Sequence, residues 1–241
     1  MGNTDRAGTR FHLVLPAAGS GQRMASDRPK QYLEIDGRTL LQHTLERLGV
    51  MDCIDRIVLV LANDDSWWPA IEPRLTTFLR RKIQVAAGGA ERCDSVRNGL
   101  LAIRHLAGNE DFVLVHDVVR PCVRTGDVRL LIDAVRDEVA GGLLATPLRD
   151  TLKRADDAGR VEQTMDRSRL WCAATPQMFR YHILLQALET ATANGRKVTD
   201  EAEAVEALGY KVKLVQGHAD NIKITYPDDL QLATLILGVA D

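Results

Sequence analysis

The 241-residue sequence predicts a doubly wound α/β fold, in which helices cover both faces of a single, mostly parallel sheet. Three observations support this prediction. Near-continuous apolar runs rich in β-branched residues are typical of strands buried on both faces. Loops containing glycine or acidic residues follow several of these runs, and apolar residues at helical spacing come next. The repetition of strand, loop and helix along the chain is the arrangement that gives a parallel sheet.

The composition is that of one globular domain without a strongly charged surface. Of all residues, 45% are hydrophobic and 27% are charged, which is enough apolar material for one large core. The 31 basic and 33 acidic residues give a formal net charge of -2, so nothing favours nucleic acid or an anionic membrane surface as a partner. Local groups of basic residues therefore indicate sites for small anions.

The remaining global features predict a cytoplasmic protein with reduced cysteines. The four cysteines never form Cys-x-x-Cys, so neither a zinc site nor a disulfide framework is indicated. No apolar run approaches the ~18 residues that span a bilayer, and the polar start lacks the apolar stretch of a signal peptide. We expect residues 1–10 to be a disordered N-terminus and residues 11–241 to form the folded domain.

The first predicted strand leads into a loop with the features of a polyphosphate site. Its apolar run ends at Pro16, and the loop contains Gly19 and Gly21. Glycines let backbone N–H groups approach an anion, and the cations Arg23 and Lys30 follow directly. The spacing fits neither a P-loop nor a dinucleotide fingerprint, because the required Gly-Lys pair and third glycine are missing. An ordinary strand-to-helix turn is the alternative for the glycine pair alone.

The next elements repeat the same pattern. Strands are predicted at 32–35, 55–61 and 82–86, and helices after Thr39, after Asp64 and through Val96. Gly88 and Gly89 follow the third of these strands. Because ligands bind at the carboxyl ends of strands in such sheets, we expect this glycine pair on the same rim as Gly19 and Gly21.

A central strand at 111–115 ends in a histidine and an aspartate. Mg²⁺ prefers one or two carboxylates together with phosphate oxygens and water, so a carboxylate at this strand end is a candidate ligand. We therefore predict that Asp117 holds Mg²⁺; the alternative is that it caps the following turn. His116 has no second histidine at ligand spacing, so we interpret it as a hydrogen-bonded orienting residue.

The regular pattern stops between Arg149 and Trp171. A helix around Leu131 and a strand at 142–147 precede this stretch, which has six basic residues, two turn signals and only weak alternation. We predict a projecting β-hairpin, called here the arm (residues 149–171). A two-stranded hairpin alone is marginally stable in water, so we expect the arm to pack against a second copy of the chain in a homodimer. A charged, solvated excursion is the alternative.

The last part of the chain returns to regular structure. Helices are predicted around Leu184, from Thr199 and from Pro227 to Val239, and an edge strand at 210–215. Lys223 lies between two isoleucines in a strand-like stretch, and alternation would turn it to the opposite face, towards a cleft. We expect the leucine-rich end of the last helix to lie in the core.

Sequence motifs throughout the chain after residue 10 resemble those of one enzyme family. They are Leu15-Pro-Ala-Ala-Gly-Ser-Gly-Gln-Arg-Met24, Pro29-Lys-Gln-Tyr32, Gly88-Gly-x-Glu-Arg-x-Asp-Ser-Val96, Val113-Leu-Val-His-Asp-x-x-Arg-Pro121, Arg149-Asp-Thr-Leu-Lys153, Asp166-Arg167, Thr175-Pro-Gln177, Thr199-Asp-Glu-Ala202 and Asp220-Asn-Ile-Lys223. In this order they are similar to the bacterial 2-C-methyl-D-erythritol 4-phosphate cytidylyltransferases. The resemblance implies a nucleotidyltransferase domain that transfers CMP from CTP to 2-C-methyl-D-erythritol 4-phosphate and releases pyrophosphate. That reaction belongs to the non-mevalonate route to isoprenoid precursors.

The resemblance also implies a role for individual residues. The matches to Arg23, Lys30 and Lys223 bind the triphosphate and stabilise the attacked α-phosphorus, which makes these three the implied catalytic residues. The residues implied to contact the cytosine are Ala17, Ala18, Gly89 and Ser95. Asp117 is implied to lie near the ribose, the phosphate and Mg²⁺. The loop amides of Gly19 and Gly21 complete the predicted phosphate site. Arg120 is implied to hold the acceptor, together with Thr151 and Arg167 from the arm of a partner subunit.

The chain departs from the usual family pattern at a few positions. Ala90 stands where aspartate is common, and Val118 and Val119 stand where alanines are usual. We expect these changes to alter nucleotide affinity and not the reaction, because the matched cations remain. Two alternatives stay open: a cytidylyltransferase for ribitol 5-phosphate, and a non-catalytic nucleotide-binding protein. A nucleic-acid-binding module is excluded by the net charge and by the absence of interleaved aromatic residues.

Overall fold

The computed structural model describes residues 8–19 and 28–239, and within these ranges it confirms the doubly wound α/β fold. The strands are β1 (Phe11–Pro16), β2 (Glu34–Ile35), β3 (Arg38–Thr39), β4 (Ile54–Leu61), β5 (Ile83–Ala87), β6 (Phe112–Val115), β7 (Gly141–Pro147), β8 (Lys153–Ala155), β9 (Val161–Thr164), β10 (Trp171–Arg180) and β11 (Lys213–Gln216). The α-helices are α1 (Leu40–Gly49), α2 (Trp68–Ile71), α3 (Thr77–Lys82), α4 (Arg92–Ala102), α5 (Thr125–Val135), α6 (Tyr181–Ala193), α7 (Glu201–Ala207) and α8 (Pro227–Val239).

The main sheet is mostly parallel, as predicted. Among the described residues it has seven strands in the order β11-β7-β10-β6-β1-β4-β5. β1 pairs in parallel with β4 and β6, whereas β10 runs antiparallel to both of its neighbours, β6 and β7. The pairs β2–β3 and β8–β9 form two small separate sheets.

Alternating side chains of the central strands build two cores. In β1, Leu13 and Leu15 pack on the face covered by α1, α3 and α5, and Val14 packs on the face covered by α4, α6 and α7. β4 divides in the same way, with Leu59 on the first face and Val60 on the second. Because both faces are buried, every position prefers an apolar residue, which explains the continuous apolar runs in the sequence.

The sequence reasoning missed β10, the longest strand of the main sheet. Pro176 lies inside it, after a cis peptide bond from Thr175, and the pairing with β7 shifts between Ala173 and Gln177. Proline cannot donate a ladder hydrogen bond, so it normally argues against an interior strand. The bulge accommodates it here, and the bulge has no signature in the local sequence.

Two smaller predictions also needed correction. Only Glu34–Ile35 of the stretch 32–35 pairs as a strand, because Lys30–Tyr32 forms a 3₁₀ turn. α7 is capped by Asp200 and not by Thr199: the Asp200 carboxylate accepts a hydrogen bond from the Glu203 N–H. The side chain and N–H of Thr199 instead donate to the Glu203 carboxylate.

The last part of the chain differs from the prediction in two respects. Lys223 lies in an extended loop and not in a strand. α8 has the predicted bounds, but only part of its apolar surface is covered, since Ala233 is buried while Leu232 and Leu235 are exposed. The leucine-rich end is therefore only partly core.

Near the N-terminus, Arg10 already belongs to the folded domain, although it lies within the predicted tail. Its N–H donates to Asp111 Oδ1 at 2.9 Å, and its carbonyl accepts from the Phe112 N–H. Gly8 and Thr9 are also described, and residues 1–7 of the predicted disordered segment lie outside the described residues. Within the described ranges, no helix has the length and apolar character needed to cross a membrane.

The arm projects from the main sheet as a hairpin, as predicted. β8 and β9 pair antiparallel beyond the ends of β7 and β10, where Trp171 lies opposite Pro147. From residue 149 to residue 173 every residue except Met165 is exposed. The arm therefore has almost no core of its own within this chain.

Candidate active site

The carboxyl ends of three parallel strands form a cleft at one edge of the sheet. Loops after β1, β5 and β6 line a cavity of about 360 Å³, within the size range of small-molecule sites. Eight of the predicted site residues border this cavity: Ala17, Ala18, Gly19, Lys30, Gly89, Ser95, Asp117 and Lys223. The expectation that the two glycine loops share a rim is confirmed for Gly19 and Gly89; Gly21 lies outside the described residues.

The loops after β1 and β5 approach each other closely at the cleft. The Ala17 N–H donates to the Val60 carbonyl and the Gly88 N–H to the Leu61 carbonyl, which extends the sheet pairing past both strands. A Cβ on Gly88 would lie 2.4 Å from Ala18 Cβ. Glycine is therefore required at this position by the approach of its neighbour and not by an unusual backbone angle.

Buried polar side chains fix these loops from behind. Ser95 Oγ accepts a hydrogen bond from the Gly89 N–H at 3.0 Å and lies 3.2 Å from the Glu91 carbonyl, to which it donates. Gln31 Nε2 donates to the Ala17 carbonyl at 2.7 Å. These contacts leave little freedom for the loops at which the nucleotide contacts were predicted.

Asp117 is the electrostatic centre of the cleft. Its Oδ1 accepts from Arg92 Nε at 3.0 Å, its Oδ2 lies 2.9 Å from Lys223 Nζ, and Arg120 Nε is 3.7 Å away. Burial alone would raise the pKa of this carboxyl, but Arg92 and Lys223 hold it well below its ordinary value. Both carboxylate oxygens face cations, and among the described residues neither accepts a hydrogen bond from a backbone N–H of the following turn; the Mg²⁺ contact of Asp117 stays a prediction.

His116 is an orienting residue, as predicted. Its Nδ1 lies 3.0 Å from Thr175 Oγ1 and its Nε2 lies 3.2 Å from the Arg120 carbonyl. A carbonyl can only accept, so Nε2 carries the proton and Nδ1 accepts from the threonine hydroxyl, which itself accepts from the Asp117 N–H. Burial lowers the pKa of His116 to about 4, so the ring is neutral.

The loop that carries Lys223 is held on both sides of this residue. Asn221 Nδ2 donates to the Thr175 carbonyl at 2.7 Å, and the Asn221 carbonyl accepts from Arg120 Nη1 at 2.8 Å. On the other side, the Ile224 N–H donates to the Val119 carbonyl, and the Ile224 side chain is fully buried. The predicted direction of Lys223 is therefore confirmed, although its predicted strand is absent.

Among the other predicted site residues, the three that the structure describes do not line the cavity. Gly21 and Arg23 lie outside the described residues. Thr151 and Arg167 are exposed on the arm and do not border the cavity. Arg120 lies behind Asp117, within reach of its carboxylate.

One functional residue that the sequence reasoning left without a role is Arg92, the first residue of α4. Its guanidinium contacts Asp117 and also Glu201, with Nη1 to Oε1 at 2.6 Å and Nη2 to Oε2 at 3.1 Å. Burial would lower the pKa of Arg92, but the two carboxylates raise it above its ordinary value. Its position beside the glycine pair was a usable signal, whereas its partner 109 positions away could not be inferred from the sequence.

Comparison with known proteins identifies the family of the chain. The sequence profile of the family described as 2-C-methyl-D-erythritol 4-phosphate cytidylyltransferase matches residues 11–239. A relative of that name from Ectopseudomonas mendocina is 51% identical over 223 residues, which cover 92% of this chain and 93% of the relative.

Two solved structures support the same relationship. A crystal structure of 4-diphosphocytidyl-2C-methyl-D-erythritol synthase superimposes with a TM-score of 0.83 at 35% identity, over 96% of this chain and all of that chain (100%). The Francisella tularensis 2-C-methyl-D-erythritol 4-phosphate cytidylyltransferase gives a TM-score of 0.79 at 33% identity, over 95% of this chain and 100% of that one. Because the profile spans nearly the whole sequence and the structures share the whole fold, the chain belongs to the 2-C-methyl-D-erythritol 4-phosphate cytidylyltransferase family, also called IspD.

Proposed function

We propose that the protein transfers CMP from CTP to 2-C-methyl-D-erythritol 4-phosphate, releasing pyrophosphate, in the non-mevalonate synthesis of isoprenoid precursors. The observation that carries the proposal is the meeting of Lys30, Asp117 and Lys223, from three separate segments, beside the loops of Gly19 and Gly89. Membership of the family supplies the identity of the two substrates.

The reaction follows from placing two anions in line within this cleft. A phosphate oxygen of the acceptor attacks the α-phosphorus of CTP, and the bond to the bridging oxygen of pyrophosphate breaks. The acceptor phosphate is already an anion near neutral pH, so the step needs neither a covalent enzyme intermediate nor a general base. Catalysis is then positioning and charge stabilisation by Lys30, Lys223 and, as the family implies, Arg23.

The cation Mg²⁺ is proposed to accompany the triphosphate. Among the described residues, no three acidic, histidine or cysteine side chains lie close enough to form a metal site, but Asp117 supplies one ionised carboxylate in the cleft. A single carboxylate with phosphate oxygens and water suits Mg²⁺, so the residues fit a metal that arrives with the nucleotide. When bound, Mg²⁺ would neutralise charge on the triphosphate. Asp117 would have to share its oxygens between the metal and the neighbouring cations.

We further propose a homodimer in which the arm completes the site of the partner subunit. Support comes from the exposure of almost the whole arm, including the apolar side chains Leu152, Val161 and Leu170. Thr151 and Arg167, the implied acceptor contacts, lie on this arm and away from the cleft of their own chain. A second chain would bury the arm and bring these two residues to the acceptor.

The decisive experiment is a pyrophosphate-release assay with each nucleoside triphosphate paired with each of several polyol phosphates. The proposal expects turnover with CTP and 2-C-methyl-D-erythritol 4-phosphate together, and an absolute requirement for both. Turnover with ribitol 5-phosphate in its place would support the alternative acceptor. CTP binding without turnover for any acceptor would support the non-catalytic alternative and overturn the proposal.

A further inference from the structure

A buried carboxylate outside the cleft makes a bidentate contact with a residue of the site. Glu201 is fully buried, and both of its oxygens accept from the Arg92 guanidinium. The Arg92 side chain is 30% exposed and borders the cleft. Glu201 does not border it. Any influence of Glu201 on the reaction therefore passes through Arg92.

The strand β10, which was not predicted from the sequence, fixes Glu201 at this position. Glu201 is the first residue of α7, and Gln177 on β10 clamps that end of the helix. Gln177 Nε2 donates to Asp200 Oδ2 at 2.9 Å, and Gln177 Oε1 accepts from the Ala202 N–H at 2.8 Å. Two motifs that lack an assigned role, Thr175-Pro-Gln177 and Thr199-Asp-Glu-Ala202, thus meet behind Arg92.

Arg92 and Lys223 contact different oxygen atoms of the Asp117 carboxylate. Arg92 takes Oδ1, and Lys223 lies against Oδ2. In the proposed reaction Lys223 must also bind substrate phosphate, and any interaction that its ammonium group makes there weakens its hold on Asp117. A buried carboxylate that loses its cation is costly unless another partner remains. Arg92 is the partner that the protein itself supplies on Oδ1, in addition to the proposed Mg²⁺, and the bidentate contact with Glu201 prevents it from turning towards the phosphates.

We propose that Glu201 is a positioning residue for cytidylyl transfer, which holds the Arg92 guanidinium against Asp117 so that Asp117 stays paired while Lys223 moves to the substrate. This inference rests on the proposed function. It separates two kinds of cation in the cleft. Lys223 is exchangeable between protein and substrate, whereas Arg92 belongs permanently to the protein network.

The test uses three variants of the full-length protein, Glu201→Gln, Arg92→Met and the double variant, with Glu206→Gln as a control on the exposed side of the same helix. Turnover, KM for CTP and Tm are measured for each. We expect Glu201→Gln to lower kcat about 10- to 100-fold, as misplacement of a site group does, with a much smaller change in KM for CTP. Glu206→Gln should behave as wild type.

The double variant separates positioning from simple stabilisation. Each single variant breaks the Arg92–Glu201 pair, leaves one of its two charges in place and should lower Tm, whereas the double variant removes both charges of that pair and should recover much of Tm. Its kcat should nevertheless remain as low as that of Arg92→Met, because Glu201 acts only through Arg92.

Three results would overturn the inference: wild-type kcat in Glu201→Gln, a kcat that recovers together with Tm in the double variant, or losses that multiply. If the wild-type protein itself releases no pyrophosphate from CTP and 2-C-methyl-D-erythritol 4-phosphate, the proposed function fails, and that outcome is distinct from failure at Glu201.

Discussion

Lys223 is partly exposed and has a defined partner, so its substitution should affect activity with little effect on folding. Its side chain is 41% exposed and its Nζ lies 2.9 Å from Asp117 Oδ2. We predict that Lys223→Ala lowers kcat about 10²- to 10³-fold, as removal of one donor to a transition-state anion typically does. Tm should change little, because Asp117 keeps its contact with Arg92.

The measurement is pyrophosphate release by the purified variant, with thermal unfolding recorded on the same sample. Lys211→Ala is the matched control, because Lys211 is exposed and does not border the cleft. Turnover close to wild type in Lys223→Ala would remove Lys223 from the mechanism. The same loss is expected for Lys30→Ala.

At the residue scale, site residues that directly follow a strand could be predicted from the sequence. Contacts between residues far apart in the sequence could not. Asp117 was found because it stands directly after an apolar run, and the carboxyl ends of strands gather ligand loops. Arg92 and Glu201 lie on different helices, and their pairing depends on how β10 places α7. No local spacing carries that information.

At the scale of elements, the packing of the two glycine loops predicts a nucleotide-binding defect. A Cβ added to Gly88 would lie 2.4 Å from Ala18 Cβ and 3.0 Å from the Leu61 carbonyl oxygen. Gly88→Ala must therefore push apart the loops after β1 and β5. We expect KM for CTP to rise about tenfold, because displacement of a binding group by a fraction of an ångström is already costly.

Steady-state kinetics with varied CTP at saturating acceptor measures this effect. Gly126→Ala is the control, since an added Cβ there meets no described atom within 4 Å. An unchanged KM in Gly88→Ala would mean that the two loops are not held against each other in solution.

Elements were predictable where one physical rule acts along the whole segment. Strands β1, β4 and β6 are buried on both faces, so their apolar runs are continuous, and Thr39 caps α1 through a reciprocal contact with Gln42. β10 has no uniform sequence pattern, because it contains Pro176 and a bulge and its first residues adjoin the exposed arm. Its place in the sheet is set by partners distant in sequence.

For the whole molecule, two buried histidines make stability depend on pH. Burial lowers the pKa of His12 below 6.5, against the opposing effect of Asp111, and lowers that of His116 to about 4. Below 6.5 the unfolded chain binds protons that the folded chain does not, so the free energy of unfolding falls as the pH drops. From about pH 7.5 to about pH 5.5, His116 alone accounts for a loss of about 1.4 kcal/mol, and His12 adds to it.

His12→Gln tests this dependence by urea unfolding at the two pH values. Glutamine can keep a donor near Asp111 Oδ2, which His12 Nε2 contacts at 3.3 Å, but it cannot take up a proton. Protonation of Asp111 does not contribute to the difference between these two pH values, because its lowered pKa affects stability only as the pH falls below 3.8. The variant should lose less stability than wild type between the two conditions. An identical loss in both proteins would show that folding does not lower the pKa of His12.

The arrangement of two subunits can be tested by combining two inactive chains. Lys223 lies in the cleft of its own chain, whereas Arg167 lies on the arm, which is exposed there. If the arm serves the partner, a heterodimer of Lys223→Ala and Arg167→Ala has one site with a normal cleft and a normal arm, and one site with both defects. In a twofold-symmetric dimer that heterodimer should show about half of the wild-type turnover.

Two purification tags, one on each variant, isolate the heterodimer, and each homodimer serves as the inactive reference. If the arm instead served its own chain, each site in the heterodimer would carry one defect and the mixture would stay as slow as its parents. If the protein were monomeric, no doubly tagged species would form. Recovery of activity therefore requires both that two chains associate and that Arg167 crosses between them, and neither condition alone produces it.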